Sequence, residues 1–133
     1  MSVLPKNLER LFLRIIYRVE HKESGKGLYR CSEYAQCELH EKTRHPMPYS
    51  DSLLNNFWGD LADDFEEEHF YFGFTSIEQL KFWIYNDADR TAIDKEGLVV
   101  SVFWAEMYAG DTQCVYLKSS RGETISKHRL TEI

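Results

Sequence analysis

Residues 69–87 read HFYFGFTSIEQLKFWIYND. Phe70, Phe72 and Phe74 alternate with Tyr71, Gly73 and Thr75, which is the period of a strand. Ile77, Leu80, Trp83 and Ile84 then share one face at helical spacing, so the pattern predicts a helix over 77–86. The junction carries its own start signal. Ser76-Ile77-Glu78-Gln79 matches a capping box, with Ser76 accepting from the Gln79 amide and Gln79 reaching back, and Thr75-Ser76-Ile77-Glu78 matches it one residue earlier. Capping accounts for both hydroxyls. The alternative is a ligand at the strand end, since Gly73 inside the strand marks a place where a ligand or another backbone approaches closely.

Working outward, Leu8, Leu11, Phe12, Ile15 and Ile16 fall at helical spacing after Asn7, and RIIYRVE (14–20) reads as a strand. The expectation is a short helix that hands over to a strand near residue 14. HKESGKGLYR (21–30) is a glycine-containing turn, and residues 31–50 show no clear period. Ser50-Asp51-Ser52 opens a helix through Leu53, Leu54, Phe57 and Trp58, and the acidic run DLADDFEEE (60–68) follows. Asp94 to Gly97 turns the chain into LVVSVFWAEM (98–107), apolar on both faces like a central strand. TQCVYLK (112–118) is its antiparallel neighbour, and 123–131 adds an edge strand. The order predicts one α+β domain over residues 1–133, a mainly antiparallel sheet with two to three helices.

The bulk numbers fit that size. A chain of 133 residues with 43% hydrophobic and 14% aromatic residues can bury a core without metal or disulfide support. A formal net charge of −6 argues against non-specific nucleic-acid binding and against anionic membrane surfaces. No apolar run is long enough to span a membrane, and the N-terminal residues lack a signal-peptide pattern. Cys31, Cys37 and Cys114 are an odd number at unequal spacing, which fits free thiols in a reducing, cytoplasmic setting. Cys31, Cys37, His40 and His45 have the spacing C-x5-C-x2-H-x4-H, without the short knuckle of structural zinc sites, so no metal is expected.

Two sets of residues invite a ligand. Arg18, among Ile15, Ile16 and Val19, needs a carboxylate, carbonyls or a phosphate; Glu20 and Glu106 are candidate ion-pair partners. Arg30, after the glycines, is a second phosphate candidate. The acidic run 60–68 is either a solvated face or an interaction surface that imitates a phosphate backbone. Trp58, Trp83 and Trp104, with eight Tyr and eight Phe, belong mostly to the core.

FYFGFTSIEQLKFWIY resembles the strand-to-helix segment of the ADP-ribosyltransferase-like superfamily. The resemblance implies a nucleotide cleft that takes NAD. In it Arg18 would hold ribose or phosphate, Thr75 and Ser76 would support the strand end, Phe74 and Tyr85 would flank nicotinamide, and Gln113 would contact the nicotinamide ribose. Gln113 stands where that superfamily commonly has Glu, and a neutral amide stabilises the developing ribosyl cation less well. The implied activity is transfer of ADP-ribose to a host macromolecule. YRVEH, the glycine turn, and later FGF.S.EQL..W also resemble small phage or prophage proteins. The rival expectation is a non-catalytic acidic protein that binds and inhibits a host factor.

Overall fold

The computed structural model describes residues 11–35, 70–84 and 86–133. Ile15, Ile16 and Val19 are β-branched, Phe12 and Tyr17 are aromatic, and the segment they share is a strand, β1 (Phe12–His21). The strand therefore starts at Phe12, before the expected handover near residue 14. The apolar spacing that suggested a helix serves the two faces of a strand instead: Ile16 packs into one core and Val19 into another. Asn7 and Leu8 lie outside the described residues, as do the expected helix after Ser50, the acidic run, Cys37, His40, His45 and Tyr85.

A single helical turn, α1 (Leu28–Cys31), follows the glycine turn. The aromatic alternation forms β2 (Phe70–Gly73), and α2 (Ile77–Trp83) begins where the capping pattern places it. A helix absent from the sequence reading comes next, α3 (Asp87–Lys95), whose N-cap Asn86 accepts from the Asp89 amide at 2.7 Å. Then come β3 (Leu98–Ala109), β4 (Cys114–Leu117) and the short, exposed β5 (Ser126–Arg129). The molecule is α+β, and every strand pair among the described residues is antiparallel.

The sheet order is β1-β3-β4-β2, with β5 beside β3. All ten residues of β1 pair with β3, from Phe12 opposite Met107 to His21 opposite Leu98. The open sheet curls until its ends touch: Tyr17 and Phe74 exchange two backbone hydrogen bonds of 2.8 Å. Gly73 permits that approach. A Cβ there would stand 2.6 Å from Ile16 Cγ2 and 3.3 Å from the Tyr17 carbonyl, so the glycine marks a close backbone, as one of its two readings required.

Curling gives the sheet an inside and an outside. Outside, Val19, Leu98 and Val100 pack against Leu80 and Trp83 of α2 and Ile93 of α3, with Phe74 edge-on to Trp83. Inside, Ile16, Phe103, Ala105, Met107, Cys114 and Tyr116 form a second core. Each fully buried large apolar side chain contributes about 1.5–3 kcal/mol, so both cores are substantial. On β1 the inward positions continue past Ile16 to Arg18 and Glu20, which places charge inside the curl.

Candidate functional site

Alternation along β1 turns Arg18 and Glu20 to the same face as Ile16, and the register sets Ser101 opposite Arg18. Both charged residues are buried. Neither can be left unpaired there, and the structure pairs them twice. Arg18 Nε donates to Glu20 Oε1 at 3.0 Å, the nearer of its two expected partners. Arg121, arriving just after β4, donates Nη1 to Oε1 and Nη2 to Oε2, each at 2.8 Å. Glu20 is thus a carboxylate between two guanidiniums, one of them bound in the fork geometry that suits carboxylate and phosphate alike.

Aromatic rings line the cluster. Arg18 Cζ stands 4.7 Å from the centre of the Tyr71 ring, and Arg121 Cζ 3.9 Å from that of Phe103. Lys118 Nζ lies 5.1 Å from the Tyr71 centre and brings a third cation to the same rings. Arg18 Nη1 donates to the Phe72 carbonyl at 2.8 Å, which fastens β1 to β2. Arg18 Nη2 has room because residue 27 is glycine: a Cβ there would be 2.9 Å from it.

Electrostatics follow from the packing. Burial raises the Glu20 carboxyl, but the hydrogen bonds and charge it receives, chiefly from Arg121 and then from Ser101 and Arg18, outweigh that and hold it below the ordinary carboxylate value. The Glu20 pair raises Arg121 in turn, against the opposing effect of its burial. Burial pushes the Tyr116 phenol up to about 12, so it stays a neutral hydroxyl. The Ser101 and Tyr116 hydroxyls lie near enough to influence Glu20 and Arg121, yet each is buried without a hydrogen bond of normal geometry. An arginine presents about five N–H donors. Among the described residues Arg18 makes two side-chain hydrogen bonds and Arg121 three.

The other residues singled out in the sequence are placed elsewhere. Ser76 Oγ accepts from the Gln79 amide at 3.1 Å, and Gln79 Oε1 accepts from the Thr75 amide at 3.0 Å. This is the capping pattern, with the return bond one residue earlier than expected. Gln79 Nε2 also donates to the Asp111 carbonyl at 3.2 Å, so the start of α2 is tied to the β3–β4 turn that carries Gln113. Gln113 is buried, and its carbonyl accepts from Gly110. Phe74 sits in the outer core while Arg18 points into the inner one; the sheet separates them. Arg30 is exposed on α1. Thr75, Ser76 and Gln113 therefore gather about one turn, and Arg18 belongs to another group.

Sequence reasoning missed Arg121, Lys118, Tyr71, Tyr116 and Ser101. No local signal marks them, because the cluster joins β1 to the chain after β4 across more than a hundred positions. Among the described residues, no group of three or more His, Cys, Asp or Glu is placed to hold a metal ion. No described helix is long and apolar enough to cross a membrane.

A family model described as Bacteriophage T4 Y00F protein matches residues 7–130, and the chain belongs to that family. The likeness to small phage proteins is thereby shown. No curated protein and no solved structure matches the chain.

Proposed function

We propose that this phage protein binds a small phosphate-bearing ligand of the nucleotide class at the rim of the Arg18–Glu20–Arg121 cluster. Charge balance carries the reading. Among the described residues, Arg18 and Arg121 share the one carboxylate of Glu20, Lys118 joins Arg18 at the Tyr71 ring, and the buried Ser101 and Tyr116 hydroxyls beside them make no hydrogen bond of normal geometry. A phosphate supplies what such a group lacks: negative charge and several acceptor oxygens in a geometry that guanidinium matches. The way in is the Arg121–Lys118 side, where the Arg121 side chain is 27% exposed and Lys118 is exposed. NAD, the cofactor implied by the ADP-ribosyltransferase likeness, is one such ligand, and its pyrophosphate is the portion the arginines suit.

The proposal is binding without transfer. Ser76 is held as a helix cap, and Gln113 offers an amide where ribosyl transfer uses a carboxylate. Thermal unfolding with pyrophosphate, ADP, NAD and adenosine tests the reading. A ligand at a hundred times its Kd stabilises the folded state by about 2.7 kcal/mol. The three phosphate compounds are expected to raise Tm by several degrees and adenosine to leave it unchanged. No rise with any phosphate compound overturns the reading.

A second reading rests on a different surface. Leu13 and Trp104 are 62% and 46% exposed, and with Ile15, paired opposite Trp104, they share one face of β1 and β3. That face, which also carries the exposed Glu106 opposite Leu13, suits capture of a host protein. Capture that survives Leu13→Glu combined with Trp104→Ser removes this face from consideration.

A further inference from the structure

We infer that Glu20 competes with the ligand for Arg121 and thereby makes the site selective for phosphate over singly charged anions. This rests on the phosphate-binding reading and adds to it what decides which anions succeed. Glu20 presents two oxygens to Arg121 in the fork that a phosphate would use, each at 2.8 Å. A carboxylate or chloride ion arriving from solvent offers Arg121 nothing that Glu20 does not already provide. Such an ion would have to exchange like for like and lose its own hydration. Pyrophosphate differs in having more charge and more acceptor oxygens. It can take the Arg121 fork and still present oxygens to Lys118, which shares the Tyr71 ring with Arg18.

The pairing also shows how Glu20 can release one partner. It is bound separately by Arg18 through Nε, on the same strand and two residues away. When Arg121 turns to a phosphate, Glu20 keeps the Arg18 contact and remains a paired carboxylate. Arg121 is the member solvent reaches, since its side chain is more exposed than those of Arg18 and Glu20.

The test is titration of wild type and Glu20→Gln with inorganic pyrophosphate and with acetate. Wild type is expected to bind pyrophosphate and not acetate. The variant, which keeps shape and loses charge, is expected to bind pyrophosphate about tenfold tighter, a difference of about 1.4 kcal/mol, and to acquire measurable acetate binding. Equal pyrophosphate affinities with no acetate binding overturn the competition and leave the phosphate reading intact. Pyrophosphate bound by neither protein overturns both. Should Glu20→Gln fail to fold, the wild-type arginine Nε–H spectrum decides, with the Arg121 signal identified by its loss in Arg121→Lys. Saturating pyrophosphate is expected to shift that signal and acetate to leave it in place; a signal unmoved by bound pyrophosphate overturns the inference.

Discussion

Arg121 holds Glu20 through both carboxylate oxygens although they stand 101 positions apart in the chain. The pair joins β1 to the segment after β4, and it couples the fold to pH. Glu20 is held below its ordinary value of 4.5 in the folded chain, so the unfolded chain takes up the proton first as pH falls. Its stabilising contribution is complete above about pH 5.5 and is lost as pH drops through the depressed folded value. Urea unfolding measured from pH 7 to pH 3 is expected to show that decline, and Glu20→Gln to flatten the part due to this residue.

Gly73→Ala is expected to lower stability by about 1–3 kcal/mol, the usual range for overpacking. The added methyl would meet Ile16 Cγ2 at 2.6 Å and push β2 from β1 where Tyr17 and Phe74 bond. Denaturant melts check this. Unchanged stability would mean that the curl is not held by that contact.

Ser76→Ala separates capping from ligand binding. Loss of the bond to the Gln79 amide is expected to cost about 1 kcal/mol in unfolding free energy. Pyrophosphate affinity is expected to stay at the wild-type value, because Ser76 belongs to the α2 start and not to the Arg18 cluster. A fall in affinity beyond the stability change would bring Ser76 into the site.

The Cys114 thiol is fully buried, and burial pushes it up to about 12. It is expected to resist N-ethylmaleimide at pH 8 in the folded protein and to react fully in urea, as read by peptide mass spectrometry. Prompt reaction under native conditions would mean that β4 opens readily.

Much of the scaffold was legible because local patterns dictated it. The alternation of Phe70, Phe72 and Phe74, the cap at Ser76 and the apolar 98–107 segment each found their element. β1 was less clear, since Ile15 and Ile16 serve opposite faces of a strand and together imitate helical spacing. The helix α3 was missed: DADRTAIDK is polar, and only Ile93 and the paired Asp89 and Arg90 are buried. At the site, Arg18 and its Glu20 partner could be read from neighbouring positions. Arg121 could not, because a loop arginine gains its meaning only when the sheet brings it to β1. At the Thr75-Ser76 junction the hydroxyls and the Thr75 amide serve the start of α2.

Calorimetric titration of inorganic pyrophosphate into wild type and Arg121→Gln tests the central claim most directly. Wild type is expected to bind, and the variant, shown to be folded by its melt, to bind at least tenfold more weakly. No heat with wild type, or the same affinity in both, would contradict a phosphate site at the Arg18–Glu20–Arg121 cluster.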